Sequence, residues 1–544
     1  MRTPSTKHIG GMAAPTIVGA AVLLGATAFG SRFLGLIRDR LLAGTFGAGV
    51  DLDVYYAAFR IPDLIFTFLV LGALSAGFIP FFSKRYAKNP EFAWEFTNNV
   101  LHVMGACLVL LSLVGMLFTS QILHLVAPGF SNAALEQGVA LSRIMYLSTI
   151  LLGLSSVFGG VLQGMKRFTL YAIAPLLYNI GIIVGIVVAT FMGGGIEIVA
   201  WGVVLGSLLH LLIQFIGSLH SGWRYVFVWN WKDRDLRDLL FLMGPRVVGL
   251  AISQINLVVM TAIASLLTAG SITIFTFANN IQYVPIGIVG ISFAIAAFPT
   301  LSEQANRDAL SKMRATISAT VRNILFLIIP LSVVFLLLRI QIVRVVLGAG
   351  VIDWDTTITT AHTLAFFVLS LFAQALIPLL VRVFFAFKNT LAPALIALTS
   401  AVINIALALY WSQIYGVIGI AMAFSLASIL QLIFLWFFIS RKLCGLDESR
   451  ILQSLITCSV SALLGGLMIQ AMKTLYERVI PIDTFFGVLG QGLIAGIAGL
   501  IVYLLAAWIW RSPELNALWC SIQRRLFQKY QPSESADSAI ETSF

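Results

Sequence analysis

Apolar runs of roughly 20 residues follow one another along nearly the whole chain, and an α-helix needs a run of this length to cross the hydrocarbon core of a bilayer. The composition agrees with this pattern, because 59% of the 544 residues are hydrophobic and only 10% are charged. A soluble domain carries about 25% charged residues. The sequence therefore predicts an all-α, polytopic membrane protein with no sizeable soluble domain.

The apolar runs predict about fourteen transmembrane helices. In chain order they lie near residues 16–37, 54–80, 99–127, 140–163, 168–192, 197–219, 239–267, 273–299, 317–338, 358–384, 390–411, 414–440, 451–473 and 484–510. The first run lacks a clear small-residue cleavage site and contains Arg32, so we expect it to be retained as a helix.

Lys and Arg cluster in every second connection between these predicted helices, as in Lys166 with Arg167 and Arg441 with Lys442. Four of the opposite connections, near residues 127–138, 192–197, 266–271 and 411–416, contain neither. Positive charge in short loops stays in the cytoplasm during insertion, so we predict that both termini are cytoplasmic. The same loops account for the net charge of +11, and we expect no nucleic-acid partner.

The chain also repeats itself at a spacing of about 220 residues. GFIPFFS at 77–83 resembles AAFPTLS at 296–302, and the motif around Lys166 resembles the motif around Lys388. Equivalent points are six helices apart and keep the same orientation. The repeat is therefore parallel and predicts two six-helix lobes around a central cavity, followed by two additional helices.

The repeat and the charge pattern divide the chain into five predicted segments. They are an N-lobe at 1–220, a basic cytoplasmic linker at 221–238, a C-lobe at 239–442, two additional helices at 443–510 and a partly disordered cytoplasmic tail at 511–544. The end of the tail is polar and of low complexity, so it cannot bury enough apolar surface to fold.

Charged residues in and around the first two predicted helices are the strongest functional signal. They are Arg32, Arg38, Asp39, Arg40, Asp51, Asp53 and Arg60. Charge at membrane depth is costly unless it is paired or hydrated, so these side chains should face the bundle interior. A guanidinium pairs bidentately with phosphate oxygens and stays protonated, which suits a diphosphate ligand.

Two interpretations of these charges remain open. Arg32 and Arg38 differ by roughly 120° around a helix, so they converge on one ligand only if it lies between helices. Alternatively, Arg38, Asp39 and Arg40 form a periplasmic cluster at the end of the helix, which Asp51 and Asp53 neutralise. We favour the surface interpretation for Arg40 and Asp51, and a binding function for Arg32 because it lies deeper.

Catalytic motifs are absent from the sequence, which contains no Walker loop, no HExxH and no GxSxG. Its four cysteines and its histidines show no metal-ligand spacing. We therefore expect no enzymatic activity, no cofactor and no metal site. Transport would be driven by a gradient, by the membrane potential or by consumption of the substrate.

The segment SRFLGLIRDRLLAGTFGAGVDLDVYYAAFRIPDL at 31–64 resembles the signature of the MurJ (MviN) family of lipid II flippases in the MOP exporter superfamily. Five further segments fit the same family and carry the resemblance over most of the chain. They are APGF at 127–130, GVLQGMKRFTLYAIAPLLYNIGII at 160–183, SQINL at 253–257, GAGVIDWDTTITTA at 348–361 and RVFFAFKNTLAP at 382–393.

This resemblance implies the MOP exporter fold, alternating access and a location in the bacterial inner membrane. It implies that the last two helices form a groove for a polyprenyl tail. It also implies that Arg32, Arg38 with the adjacent Asp39, and Asp53 hold the diphosphate and sugar headgroup of the substrate.

Two departures from the family pattern affect this site. Phe66 stands where the family has an arginine in helix 2, and Asn280 stands where the helix 8 pattern ADR has its arginine. An amide donates hydrogen bonds but supplies no charge, so binding of a diphosphate would weaken unless Arg60 or Arg382 substitutes. Asn280, Arg60 and Arg382 therefore complete the predicted substrate-binding residues.

The leading hypothesis is a lipid II flippase surrounded by membrane lipids, with cell-wall synthases considered as protein partners. Two alternatives stay open, namely a flippase for another polyprenyl-linked oligosaccharide and a transport-inactive scaffold for cell-wall synthesis. A drug or cation antiporter fits less well, because that chemistry requires a cavity carboxylate and few acidic residues lie at depth.

Overall fold

The computed structural model describes residues 17–71, 77–348 and 350–517, together with residues 519 and 523. Within these ranges the regular structure is helical, and no described residue lies in a β-strand. The predictions for the first sixteen residues and for most of the tail concern residues outside these ranges.

Nineteen α-helices account for most of the described chain. In chain order α1 to α19 are Ile17–Phe46, Val50–Phe66, Ile79–Lys88, Pro90–Leu117, Thr119–Val126, Asn132–Gly164, Phe168–Met192, Ile196–His220, Arg234–Ser265, Ser271–Pro285, Ser292–Asn306, Leu310–Leu337, Arg339–Leu347, Trp354–Leu369, Leu371–Ala386, Leu391–Tyr415, Val417–Leu443, Glu448–Glu477 and Phe485–Ile509. Two π-helical stretches, Thr67–Leu71 and Ile286–Ile291, follow α2 and join α10 to α11.

Ten spans in the described part of the chain are long and apolar enough to cross a membrane, with α10 and α11 counted as one. The number is eleven if α14 and α15, which are bent by 46°, also form one span. The prediction of an all-α polytopic protein is thus confirmed. Three predicted spans fall on helices that are not among these ten. They are the span near 16–37 on α1, the span near 54–80 on α2 with α3, and the span near 239–267 on α9. The count of fourteen therefore stays a prediction.

The first helix ends at Phe46 rather than near residue 37. Its last turns continue because they are apolar and packed, with Leu42 and Ala43 fully buried. It stops where Gly47 adopts a φ of 67° and donates its N–H to the Ala43 carbonyl at 2.9 Å, a termination that glycine permits without strain. The charged residues 38–40 consequently lie inside α1 and not at its end.

Irregular features of the helices recur at the spacing of the sequence repeat. The π-helical stretches Thr67–Leu71 and Ile286–Ile291 lie about 220 residues apart, and so do the breaks between α4 and α5 and between α12 and α13. Lys166 and Lys388 both adopt left-handed backbone conformations, with φ of 59° and 58°. π-Helical stretches are rare, and a positive φ is uncommon for residues other than glycine. The recurrence of both features at this spacing supports the internal repeat.

Contacts divide the chain into two compact units. The first comprises residues 1–281, 346–367 and 390–427, and the second comprises 282–345, 368–389 and 428–544. In the first unit α7 packs along α1 and α8, and in the second α18 packs along α12 and α19. The predicted N-lobe and C-lobe have other boundaries and stay predictions.

An ion cluster in the first unit joins α3 to the start of α9. Arg85 donates from Nη2 to Asp233 and from Nε to Asp235, each at 2.7 Å. Burial by itself would lower the pKa of the Arg85 guanidinium, but its hydrogen bonds to the two carboxylates outweigh this effect and raise the pKa. Asp233 also accepts the backbone N–H of Asp235 at 2.9 Å, so it caps α9 as well.

Glycines allow α7 and α8 to approach each other closely. Gly181 and Gly185 of α7 lie against Gly206 and Gly202 of α8, and a Cβ added at any of the four would meet backbone atoms of the other helix. Small residues at this spacing permit direct backbone contact between helices in a membrane.

Replacing Gly185 by alanine should therefore destabilise the first unit. The added methyl group would overpack the contact with Gly202, at a cost of about 1–3 kcal/mol in the free energy of unfolding. Equilibrium unfolding of the purified protein in SDS measures this change. The matched control is Gly249→Ala in α9, because a Cβ there meets no atom within 4 Å and stability should not fall. Equal stability of both variants would contradict the proposed close packing.

Candidate functional site

Five polar residues of α2 and the stretch that follows it occupy one face. They are Asp53, Tyr56, Arg60, Asp63 and Thr67, spaced three or four residues apart as a single helical stripe requires. We call this set the α2 stripe. Within the first unit its members contact α9 and the beginning of α10, so the stripe carries most of the polar interactions between these helices.

Asp53 caps α10 from the neighbouring helix. Its Oδ2 accepts the N–H of Gly270 at 2.7 Å, and its Oδ1 accepts the N–H and the hydroxyl of Thr273 at 2.8 and 2.7 Å. The side chain is buried, with 4% exposed. A carboxylate is favoured at a helix N-terminus by the unsatisfied N–H groups and the helix dipole. We therefore give Asp53 a positioning role, while its predicted contact with a ligand stays a prediction.

Arg60 binds hydroxyl groups rather than carboxylates. Its Nε donates to Thr261 Oγ1 of α9 at 2.8 Å, and its Nη2 donates to Thr276 Oγ1 of α10 at 3.5 Å. Arg60 forms no ion pair with any described carboxylate, and its side chain is partly buried. Its position is thus fixed by neutral partners, and its positive charge is not cancelled by direct ion pairing.

Asp63 and Thr67 complete the stripe and were missed by the sequence-based prediction. Gln254 of α9 donates from Nε2 to Asp63 Oδ2 at 3.0 Å and to Thr67 Oγ1 at 2.9 Å. The signal was available, since Asp63 is a carboxylate in a predicted transmembrane helix and lies on the same face as Asp53 and Arg60. The cost of charge at depth applies to it equally.

Tyr56 is a buried member of the α2 stripe whose ring packs against α10. The ring is buried and meets Phe277 of α10 edge to face, with centroids 6.0 Å apart. Its hydroxyl is buried and has no hydrogen-bond partner among the described residues. Tyr56 lies one turn before Arg60 on the same face, so this hydroxyl is an additional candidate contact for a polar ligand.

Arg38 and Asp39 connect α1 with α10. Arg38 donates to Asp39 Oδ1 from Nε at 3.0 Å and from Nη2 at 2.8 Å, while Asn280 Nδ2 donates to Asp39 Oδ2 at 3.0 Å. Asp39 is 3% exposed, whereas the Arg38 side chain is 23% exposed. Both carboxylate oxygens of Asp39 accept hydrogen bonds in these contacts, so Asp39 orients Arg38 and Asn280.

Asn179 of α7 is a second residue that the sequence did not indicate. Its Oδ1 accepts from Arg38 Nη1 at 3.4 Å, and its Nδ2 donates to the Ser31 hydroxyl at 3.2 Å. It also donates to the carbonyl of Pro175 in its own helix at 3.1 Å. No local pattern marks this asparagine, because its role depends on α7 lying along α1.

The remaining predicted residues occupy varied positions. Arg32 is partly buried on α1. Arg40 donates to the carbonyl of Gly348 at 3.3 Å, and the exposed Asp51 accepts from Gln137 at 3.2 Å. Arg382 belongs to the second unit, where it donates to the carbonyl of Pro378 in its own helix at 3.1 Å.

In the first unit, three predicted residues therefore form hydrogen bonds with α10, namely Asp39, Asp53 and Arg60. Asn280, a fourth predicted residue, belongs to α10 itself. Arg60 forms no direct ion pair with a described carboxylate, although the Asp63 carboxylate one turn away interacts with it electrostatically. Arg38 has a partly exposed guanidinium. Guanidinium groups held by fixed partners bind a phosphate or diphosphate in two-pronged hydrogen bonds. The arrangement therefore supports anion binding.

Removing the Asp53 carboxylate should weaken the contact between α2 and α10. Asp53→Ala leaves two N–H groups of α10 and the Thr273 hydroxyl without their acceptor, which should lower the free energy of unfolding by about 1–3 kcal/mol. Unfolding of the detergent-purified protein by heat, followed by intrinsic fluorescence, detects the loss. Asp51→Ala is the matched control on the same helix, because Asp51 is exposed. A similar effect of both substitutions would argue against the capping role.

Comparison with known proteins gives consistent matches. The family model described as lipid II flippase MurJ matches residues 42–490. A probable lipid II flippase MurJ of Rhizobium tropici is 27% identical over 535 residues, covering 96% of this chain and 99% of the relative. Another, of Rhizobium meliloti (strain 1021), is 30% identical over 408 residues, covering 74% of this chain and 76% of the relative.

Solved structures show the same similarity. A lipid II flippase MurJ in an inward closed conformation superposes with a TM-score of 0.75 at 26% identity, covering 90% of this chain and 98% of that one. A multidrug resistance MATE family transporter of the MOP superfamily, in an inward-facing conformation, gives a TM-score of 0.65 at 14% identity, covering 79% and 99%. The second match concerns the fold alone.

Proposed function

Because the chain belongs to the MurJ family of lipid II flippases, we propose that it carries lipid II from the cytoplasmic to the outer leaflet of the bacterial inner membrane. Lipid II is the peptidoglycan precursor linked to undecaprenyl diphosphate. The family match over 42–490 and the similarity along 96% of the chain support this function. The proposed activity moves a lipid and makes or breaks no covalent bond.

The observation that carries the proposal is the position of Arg60. The family pattern has an arginine where this chain has Asn280, and the sequence alone left open whether another cation replaces it. Arg60 reaches Thr276 of α10, one turn before Asn280. A guanidinium from α2 thus lies beside the part of α10 where the family arginine is expected, and it forms no ion pair with a described carboxylate.

We propose that Arg32, Arg38 and Arg60 bind the diphosphate of lipid II. Arg38 and Asn280 are oriented by Asp39, which they share, and the Tyr56 hydroxyl supplies a further donor. A substrate with two phosphates can accept from several such donors at once. The distribution of donors on α1, α2 and α10 fits a ligand that lies between helices, as the 120° separation of Arg32 and Arg38 requires.

Alternating access gives the α2 stripe a second role in this proposal. Helices from the two predicted lobes must separate on one side of the membrane when the cavity opens there. The bonds from Asp53 to Gly270 and Thr273 join the start of α2 to the start of α10 and would have to break in that step. We further propose that both termini are cytoplasmic, as the Lys and Arg distribution indicates.

Arg60→Gln should abolish rescue of a bacterium depleted of its own lipid II flippase. The substitution keeps hydrogen-bond donors but removes the charge, and a lost charge-assisted hydrogen bond is worth about 1.5–3 kcal/mol, roughly tenfold or more in binding. Asn280→Arg added to Arg60→Gln should restore growth at least in part, because it returns a guanidinium to α10 at the position of the family arginine.

The matched control is Arg307→Gln, since Arg307 is exposed and pairs with Glu303 one turn away; it should rescue like the wild type. Membrane levels of each variant must be equal. Rescue by Arg60→Gln alone would contradict the role of this cation. Failure of a well-expressed wild type would contradict lipid II transport and favour another polyprenyl-linked oligosaccharide or a scaffold.

A further inference from the structure

A cavity of about 400 Å³ lies in the second unit, where α18 begins and α19 ends. Side chains of α12 and α18 line it together with residues 510–514. Small-molecule sites in proteins have volumes of about 300–1,000 Å³, so the cavity is large enough to take a ligand. None of its lining residues belongs to the transport site proposed above.

The cavity is predominantly basic. Arg322 of α12, Arg450 of α18 and Arg511 contribute to its lining, and Glu514 is the only acidic residue among the described lining residues. Glu514 is 4% exposed and already accepts hydrogen bonds from Arg322 Nη1 at 2.8 Å and from Ser512 Oγ at 2.7 Å. The acidic group therefore neutralises at most one of the three arginines.

Two of these arginines, Arg450 and Arg511, have exposed side chains whose donors can reach a ligand. The Nε of Arg322 is buried and has no hydrogen-bond partner among the described residues, which is unusual for a buried polar group. Arg511 is exposed at the rim. Arg450 lies 3.6 Å from Asp447 with 74% of its side chain exposed, so that ion pair is weak in water.

Exposed tryptophans near the cavity favour a position close to the membrane surface. Trp508 and Trp510 at the end of α19 and Trp519 beyond it are all exposed, and indole rings are enriched where lipid headgroups meet the hydrocarbon. Trp510 also lines the cavity. Basic pockets between transmembrane helices at this depth bind phosphorylated lipid headgroups.

We propose that this cavity binds a phosphate group, and that its position at the headgroup level favours the phosphate of an anionic phospholipid as the source. Arg450 and Arg511 donate to the phosphate oxygens, and Arg322 adds positive charge from the cavity lining. Glu514 fixes Arg322 in place through their 2.8 Å contact. The bound lipid would lie against α18 and α19 as a structural ligand of the second unit.

Native mass spectrometry of the detergent-purified full chain tests this proposal. Three probes are titrated separately, namely dioctanoyl phosphatidylglycerol, glycerol 3-phosphate as a soluble phosphate, and dioctanoylglycerol as a lipid without phosphate. The wild type should bind phosphatidylglycerol more tightly than the other two. Arg450→Gln combined with Arg511→Gln should weaken that binding about tenfold or more.

The matched control is Arg441→Gln, because Arg441 is an exposed basic residue at the end of α17 in the same unit and outside the cavity; its binding should stay like the wild type. Should the double variant not fold, Arg511→Gln alone serves, since that side chain is exposed. If glycerol 3-phosphate binds as tightly as phosphatidylglycerol and the variants lose this binding as well, the phosphate site is supported, with a soluble phosphate as its source. Equal binding by wild type and variants, or equal binding of dioctanoylglycerol, would overturn the proposal.

Discussion

Charged side chains inside an apolar helix bundle require polar partners, and the first unit depends on how α2 meets this requirement. Its stripe from Asp53 to Thr67 is satisfied chiefly by α9 and α10, through backbone N–H groups, threonine hydroxyls and one glutamine. Most of these partners are neutral. The helices are thereby held in register while Arg60 forms no direct ion pair with a described carboxylate, and Asp63 interacts with it only from one turn along the helix. The same contacts that stabilise the unit thus preserve a cation for an anionic ligand.

Much of the fold could be predicted from the sequence, because hydrophobic length and the repeat are local or periodic signals. The predicted apolar runs fall on described helices or on pairs of them, ten or eleven of which are long and apolar enough to span a membrane, and the breaks recur at the repeat spacing. The boundaries of the helices were harder to predict from the sequence. The extension of α1 to Phe46 depends on the burial of Leu42 and Ala43, which only packing decides. The division into two compact units likewise depends on contacts between distant segments.

The candidate site was predicted in part. Charge at depth drew attention to Arg38, Asp39, Asp53 and Arg60, which have interhelical partners in the structure, but it could not assign those partners, and their role in substrate binding stays a prediction. The capping role of Asp53 requires knowing that α10 begins beside it, a contact between residues more than 200 positions apart. Asn179 lies in the segment at 160–183 that resembles the family, but its contact with Arg38 depends on α7 lying along α1. Asp63 did carry a sequence signal, since it shares both the depth and the face of Arg60.

Direct binding of lipid II to the purified full chain tests most directly whether Arg60 is the cation that serves the diphosphate. The dissociation constant should rise about tenfold or more in Arg60→Gln relative to the wild type, and the wild-type affinity should weaken as salt is added, because the contact is electrostatic. An unchanged dissociation constant in a folded Arg60→Gln variant would contradict this role and show that the α2 stripe only stabilises the fold.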